Sequence, residues 1–139
     1  MAASKLRRIL CVDDDPDLRN ILTMSLQHVG GYVVQGCESG EEAVEKAPTF
    51  DPQLILLDVM MPEMDGPETL AALRRDPRLA NAVVVFITAK AKSEDKASLM
   101  SLGALDVIAK PFDPMYLHEQ INAIWRHYCD SAENSVEVR

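Results

Sequence analysis

The chain has no run approaching the roughly 20 apolar residues of a membrane span, and no dense basic stretch offsets its acids. Its 22 Asp and Glu outnumber 14 Lys and Arg, leaving a net charge of −8. That sign argues against nucleic acid or an anionic membrane as a direct partner and favours a cation. Cysteine is scarce. Cys11, Cys37 and Cys129 form no CxxC or metal-ligand spacing, and their odd number suits no disulfide framework. Two of them lie in or beside apolar strands and read as buried small hydrophobes rather than redox groups. The opening residues, Met1 to Arg8, lack the apolar core of a secretory signal. The expectation is a reduced, soluble, cytoplasmic protein. Also missing are GxxxxGK[ST] and GxGxxG, so nucleotide folds of those kinds have no support.

What is present reads as one α/β domain. With 139 residues, 47% of them hydrophobic, the chain can bury a real core. Strand-like and helix-like segments alternate five times, which predicts a parallel sheet covered on both faces. The strands are nearly continuous in apolar residues, as burial on both sides requires. Asp15 is placed to cap the first helix and Pro16 suits its first turn. Leu18, Ile21, Leu22, Leu26 and Val29 follow at helical spacing until Gly30-Gly31. Tyr32-Val33-Val34 reads as the second strand, and Ser39 to about Lys46 as a short helix. A third helix runs from about Pro67 to Arg75, Ser93 caps a fourth that Gly103 closes, and Asp113-Pro114 opens the last. Leu117, Ile121, Ile124, Trp125 and Tyr128 share one stripe on it. The divisions expected are an N-terminal extension over 1–6, a domain over 7–128, and a polar, frayed tail over 129–139.

Four strand-like runs end on reactive residues. Arg8-Ile9-Leu10-Cys11-Val12 leads into Asp13-Asp14, and Leu54-Ile55-Leu56-Leu57 into Asp58. Val83 to Ile87 ends at Thr88, and Val107-Ile108-Ala109 at Lys110-Pro111. In an open parallel sheet the carboxyl ends share one edge, where ligands bind at the topological switch point. Carboxylates about 4 Å apart repel by around 4 kcal/mol at an effective dielectric near 20. Such a group keeps a proton or recruits a cation, and oxygen-only ligands suit Mg²⁺. Asp58 is then a candidate nucleophile toward phosphorus, giving an acyl phosphate. Lys110 offers a positive charge and Thr88 a hydroxyl to the phosphoryl oxygens. Asp65-Gly66 reads as turn chemistry. Singly, Lys110 is equally well a neutralising partner and Thr88 a strand cap. Together with the strand-end aspartates they read as a site. His28, His118 and His127 lie on helices away from it.

These residues make the chain resemble the receiver domain of bacterial two-component response regulators, of the single-domain type. The motifs are Val12-Asp13-Asp14-Asp15-Pro16, Leu57-Asp58-Val59-Met60-Met61-Pro62-Glu63-Met64-Asp65-Gly66, Ile87-Thr88-Ala89 and Lys110-Pro111-Phe112. They span about residues 7 to 128. The resemblance implies a flavodoxin-like five-stranded parallel sheet of order 2-1-3-4-5 with helices on both faces. It implies that Asp58 is the phosphoacceptor, charged from a phosphohistidine on a histidine kinase or histidine phosphotransfer protein. Asp13, Asp14, Asp58 and the backbone carbonyl of Met60 would hold Mg²⁺, Thr88 and Lys110 would bind the phosphoryl group, and Lys110-Pro111 would be cis. Output would pass to a protein target through the fourth helix, fifth strand and fifth helix. One position departs from the family. Where Tyr or Phe often reports phosphorylation, three residues before the lysine, this chain has Val107, so the pair Thr88 and Val107 must switch without a ring. Met60 and Lys90 flank the site and are placed to tune access of water.

Two other functions compete. A phosphatase of the haloacid dehalogenase class would need a second aspartate two residues after the nucleophile, and position 60 is Met. A receiver-shaped scaffold that takes no phosphate is at odds with the intact set Asp13, Asp14, Asp58, Thr88 and Lys110. The expectation is a phosphorylation-controlled switch or relay that catalyses only its own phosphorylation and dephosphorylation.

Overall fold

Five short apolar strands alternate with five helices in a computed structural model that describes residues 5–137, with side chains over 5–132. The strands are β1 Arg8–Val12, β2 Val33–Cys37, β3 Leu54–Asp58, β4 Val83–Thr88 and β5 Asp106–Ala109. All pair in parallel in the order β2-β1-β3-β4-β5, the sheet expected from the sequence. The helices are α1 Pro16–Met24, α2 Gly40–Phe50, α3 Gly66–Arg74, α4 Ser93–Met100 and α5 Leu117–Glu137.

Alternation along the strands divides the core in two. Leu10, Val12, Ile55, Leu57, Val84 and Phe86 point into a layer with Leu70 and Leu73 of α3 and Leu99 of α4. Ile9, Cys11, Leu54, Leu56, Val85 and Ile87 point into the opposite layer with Leu22 of α1 and Leu117, Ile121 and Trp125 of α5. Burial on both faces is the reason β3 and β4 contain almost no polar residue. All three cysteines are buried. Leu6 is also buried in the second layer, so core packing starts inside the stretch expected as an extension. Residues 1–4 of that stretch lie outside the described residues.

Local signals explain most boundaries. Asp15 accepts hydrogen bonds from the N–H groups of Asp17 and Leu18 and so starts α1. Asp65 and Glu68 form a reciprocal capping box at the start of α3, where the sequence suggested only a turn. Gly66 follows Asp65 because a Cβ there would lie 2.6 Å from the Asp58 carbonyl oxygen. Bare backbone is what lets the start of α3 touch the end of β3.

Several expectations need correction. The second strand begins one residue late and continues through Gln35, Gly36 and Cys37, residues without a strand-like apolar pattern. The first helix opens into a wider π turn over Ser25–Val29. The extra residue carries Val29 outward, and Ile21 is also exposed rather than part of the buried stripe. The second helix passes Pro48 and ends at Phe50, where Asp51 takes a left-handed conformation at φ 57°. Arg8 holds that end: both ends of its guanidinium donate to the Phe50 carbonyl, and its planar group lies 4.3 Å above the Phe50 ring. Lys92, not Ser93, is the cap residue of α4, with no side-chain hydrogen bond. Asp113 and Pro114 form a turn, with the Leu117 N–H bonded to the Asp113 carbonyl, before α5 starts at Leu117. That helix runs to Glu137, through most of the segment expected to fray. No Gly or Pro follows Pro114 to stop it.

Candidate functional site

The four strands carrying the reactive residues are neighbours at one sheet edge. Strand β1 has β2 on one side and β3 on the other, so the chain reverses its direction of growth beside β1, and a crevice opens there. Asp13 follows β1, Asp58 and Thr88 close β3 and β4, and Lys110 follows β5. The structure brings three of them into direct contact. Lys110 Nζ lies 3.0 Å from Asp58 Oδ1 and 3.3 Å from Asp13 Oδ2. Oxygens of Asp13, Asp14 and Asp58 all lie within 4.8 Å of one another.

Each group is held from behind. Asp13 is fully buried, accepts the Asp15 N–H at 2.9 Å, and donates its own N–H to the Cys37 carbonyl. Arg19 donates to the Asp13 carbonyl at 2.7 Å. Asp58 is 4% exposed, and Asp14 is exposed. Backbone bonds from Val59 to the Ile87 carbonyl and from Gly66 to the Val59 carbonyl fix the loop after Asp58. On the far side, the Lys110 N–H donates to the Thr88 carbonyl at 2.9 Å. The Lys110-Pro111 bond is cis, as expected.

Electrostatics follow from that crowding. Burial, then the charge of Asp13, push the Asp58 carboxyl above its ordinary range, and the ammonium of Lys110 offsets this only in part. Burial pulls Lys110 down, but the hydrogen bond to Asp58 and the charges of Asp13 and Asp58 outweigh it, so the ammonium titrates above its usual value. Three carboxylates share one contacting ammonium. An all-oxygen set with surplus negative charge fits a hard divalent cation, and a small ion that keeps some of its water fits best.

Thr88 is buried at the end of β4, one residue past Ile87, the register partner of Asp58. Its hydroxyl oxygen accepts the Lys90 N–H at 3.0 Å. Val107 is buried beside Phe86, its partner across β4 and β5, in the layer that contains Leu99 and Ala104. Met60 is 65% exposed at the mouth of the site. His28 and His127 are exposed. His118 is half-buried at the start of α5, with no partner for Nδ1.

Sequence reasoning missed one feature of the neighbourhood. Leu18 and Ile21 of α1 face Pro111, Phe112 and Pro114 across an apolar cleft of about 350 Å³, which Ala89 and Lys110 also line. Nothing in the helical spacing of Leu18 and Ile21 distinguished them from core residues; in the structure Ile21 is exposed.

The sequence profile of the "Response regulator receiver domain" family matches residues 9–122. Among curated relatives, the alkaline phosphatase synthesis transcriptional regulatory protein PhoP of Bacillus subtilis is 38% identical over 120 residues, covering 86% of this chain and 49% of PhoP. The DNA-binding dual master transcriptional regulator RpaA of Synechocystis is 36% identical over 119 residues, 86% of this chain and 49% of RpaA. The chain thus spans about half the length of these relatives. Among solved structures, the chemotaxis protein CheY4 of Vibrio cholerae superimposes with a TM-score of 0.79 at 29% identity, covering 86% of this chain and 99% of CheY4.

Proposed function

Because the chain belongs to the response regulator receiver family of two-component signalling, we propose that Asp58 is its phosphoacceptor, charged from the phosphohistidine of a histidine kinase or histidine phosphotransfer protein. One observation carries this reading: Asp58, nearly buried, lies beside Asp13 and within 3.0 Å of the Lys110 ammonium at the switch point of the sheet. A carboxylate oxygen of Asp58 attacks phosphorus, the nitrogen–phosphorus bond breaks, and the donor imidazole leaves with the bonding pair. Lys110 is close enough to exchange its Asp58 contact for a phosphoryl oxygen. The Thr88 hydroxyl oxygen accepts from the Lys90 N–H, and its hydrogen would be donated to another. Asp13, Asp14, Asp58 and the Met60 carbonyl would hold Mg²⁺. When bound, the ion supplies positive charge that screens the repulsion between carboxylate and phosphoryl group.

Catalysis in this proposal is limited to the chain's own phosphorylation and the return of the phosphoryl group to water. Met60, exposed at the mouth, and Lys90, tied to Thr88, flank the path that water would take. A phosphatase acting on external substrates lacks its second aspartate, and no turnover of a generic phosphomonoester is expected.

The output side would be α4, β5 and α5. Support comes from the weak anchoring of α4, which has one buried residue and no side-chain cap. Its Lys96 reaches Asp106 of β5 at 3.3 Å. With Val107 in place of a ring, a shift of Thr88 would act on α4 through aliphatic packing against Leu99 and Ala104. It would do so only as far as phosphorylation favours one of two arrangements. The domain expected over 7–128 would also take in Leu6 and Cys129, which pack in its core. No described helix is long and apolar enough to cross a membrane, and a cytoplasmic location with protein partners is proposed. The relatives named as transcriptional regulators extend well beyond the matched half, so nucleic-acid contact, if any, would not use this acidic site.

The test is intact-mass measurement after incubation with acetyl phosphate and Mg²⁺. One added phosphoryl mass on wild type and none on Asp58→Asn is expected. Labelling that persists in the variant, or without metal, refutes the assignment.

A further inference from the structure

The cleft between α1 and the segment after β5 shares a wall with the candidate phosphoacceptor site. Lys110 both lines it and contacts Asp58 at 3.0 Å, and Ala89, next to Thr88, forms another side. Every other lining residue is apolar: Leu18, Ile21, Pro111, Phe112 and Pro114. A ligand matching this shape is apolar along most of its length and anionic at one end. The volume of about 350 Å³ lies at the small end of the range for small-molecule sites. It suits a chain of a few carbons.

We propose that the cleft seats the hydrocarbon tail of a short-chain acyl phosphate, so that the efficiency of such donors rises with chain length. The proposal rests on Asp58 being the phosphoacceptor. In the transfer, the bond between phosphorus and the acyl oxygen breaks and one between phosphorus and an Asp58 carboxylate oxygen forms. The acylate anion departs with the bonding pair, and no proton, oxidant or reductant is needed. Lys110 stands at the junction, where the charged end of the donor must lie. Each methylene taken out of water raises affinity about fourfold, so two further carbons give roughly fifteenfold.

The competing occupant is an apolar side chain of a protein donor, which would confer no dependence on the tail of a small donor. Initial rates of phosphoryl addition, read by intact mass at equal subsaturating donor concentration with Mg²⁺, should be about fifteenfold higher with butyryl phosphate than with acetyl phosphate. In Ile21→Gln the ratio should fall below about threefold. A second readout needs neither metal nor transfer. Butylphosphonate, three methylenes longer, should shift the amide resonances of Ile21, Ala89 and Phe112 at about a sixtyfold lower concentration than methylphosphonate. Equal rates for the two donors, or phosphonate shifts that ignore tail length, overturn the proposal. If acetyl phosphate labels nothing, the phosphoacceptor reading fails, and the phosphonate titration still decides whether the cleft binds a tail.

Discussion

Replacing Asp58 with Asn should make the metal-free protein more stable, although it removes a hydrogen-bonded ion pair. The repulsion between Asp58 and Asp13, with oxygens within 4.8 Å, is about 3.5 kcal/mol at an effective dielectric near 20. The attraction of Asp58 to Lys110 at 3.0 Å is about 5.5 kcal/mol on the same scale. Those two alone would leave the carboxylate favoured by about 2 kcal/mol. Desolvation of a carboxylate that is 4% exposed costs several kcal/mol more. The upward displacement of Asp58's titration indicates that burial and Asp13 together win. Asparagine keeps the shape and an oxygen for Lys110, while Lys110 keeps Asp13 at 3.3 Å.

The expected gain is roughly 1 kcal/mol at pH 7.5, or roughly 4 °C in Tm for a chain of this size. Its pH dependence has a definite sign. A carboxyl whose folded value is raised binds protons more readily in the folded state, so its penalty is absent below the ordinary carboxylate range. The penalty then grows as pH rises through the window up to the raised value and stays constant above it. The advantage of Asp58→Asn should therefore be largest near neutrality and close to nothing near pH 4. Urea unfolding in chelator at several pH values measures it, and added Mg²⁺ should narrow the gap by stabilising wild type more. A variant no more stable than wild type at pH 7.5, or a gap that ignores pH, would refute the reasoning.

Lys110→Met should destabilise by roughly 1–3 kcal/mol in urea at pH 7.5, because two buried carboxylates lose their contacting cation; labelling by acetyl phosphate should slow at least tenfold. Gly66→Ala should cost roughly 2–4 kcal/mol, since the new Cβ meets the Asp58 carbonyl and the Val59 Cα, both backbone. Recovery of full stability in that variant would show that the loop can move aside. Burial holds the Cys37 thiol up at about 12 and displaces Cys11 further upward, so a thiol-disulfide reagent at pH 8 should leave both unmodified in the folded protein. It should reach them in guanidinium, and rapid native labelling of either would contradict their burial.

Much of this could be read in the sequence because the signals are local. Apolar runs of three to five residues, each closed by a polar group, place Asp13, Asp58, Thr88 and Lys110 at strand ends, and parallel pairing then brings the ends together. The caps are equally local: Asp15 for α1, and Ser39 for α2, where its hydroxyl oxygen accepts the Glu42 N–H. What escaped depends on residues distant in the chain. The helix through Pro48 is sustained by Arg8 from β1, the buried Leu6 by packing against the far layer, and the cleft by α1 meeting a loop some ninety residues later. The π turn at Ser25–Val29 has no sequence signature at all, being one extra residue between well-formed turns.

The position of Lys110 between Asp13 and Asp58 has a thermodynamic corollary. Its ammonium already compensates part of the carboxylate charge, so a divalent cation arriving alone would find a weakened site. Drawing the ammonium away toward an incoming phosphoryl group, as proposed for Asp58, would restore that lost charge. Each of the two ligands should therefore tighten the grip on the other by the same factor, whichever arrives first. One lysine, held by two aspartates, would make their occupancies cooperative.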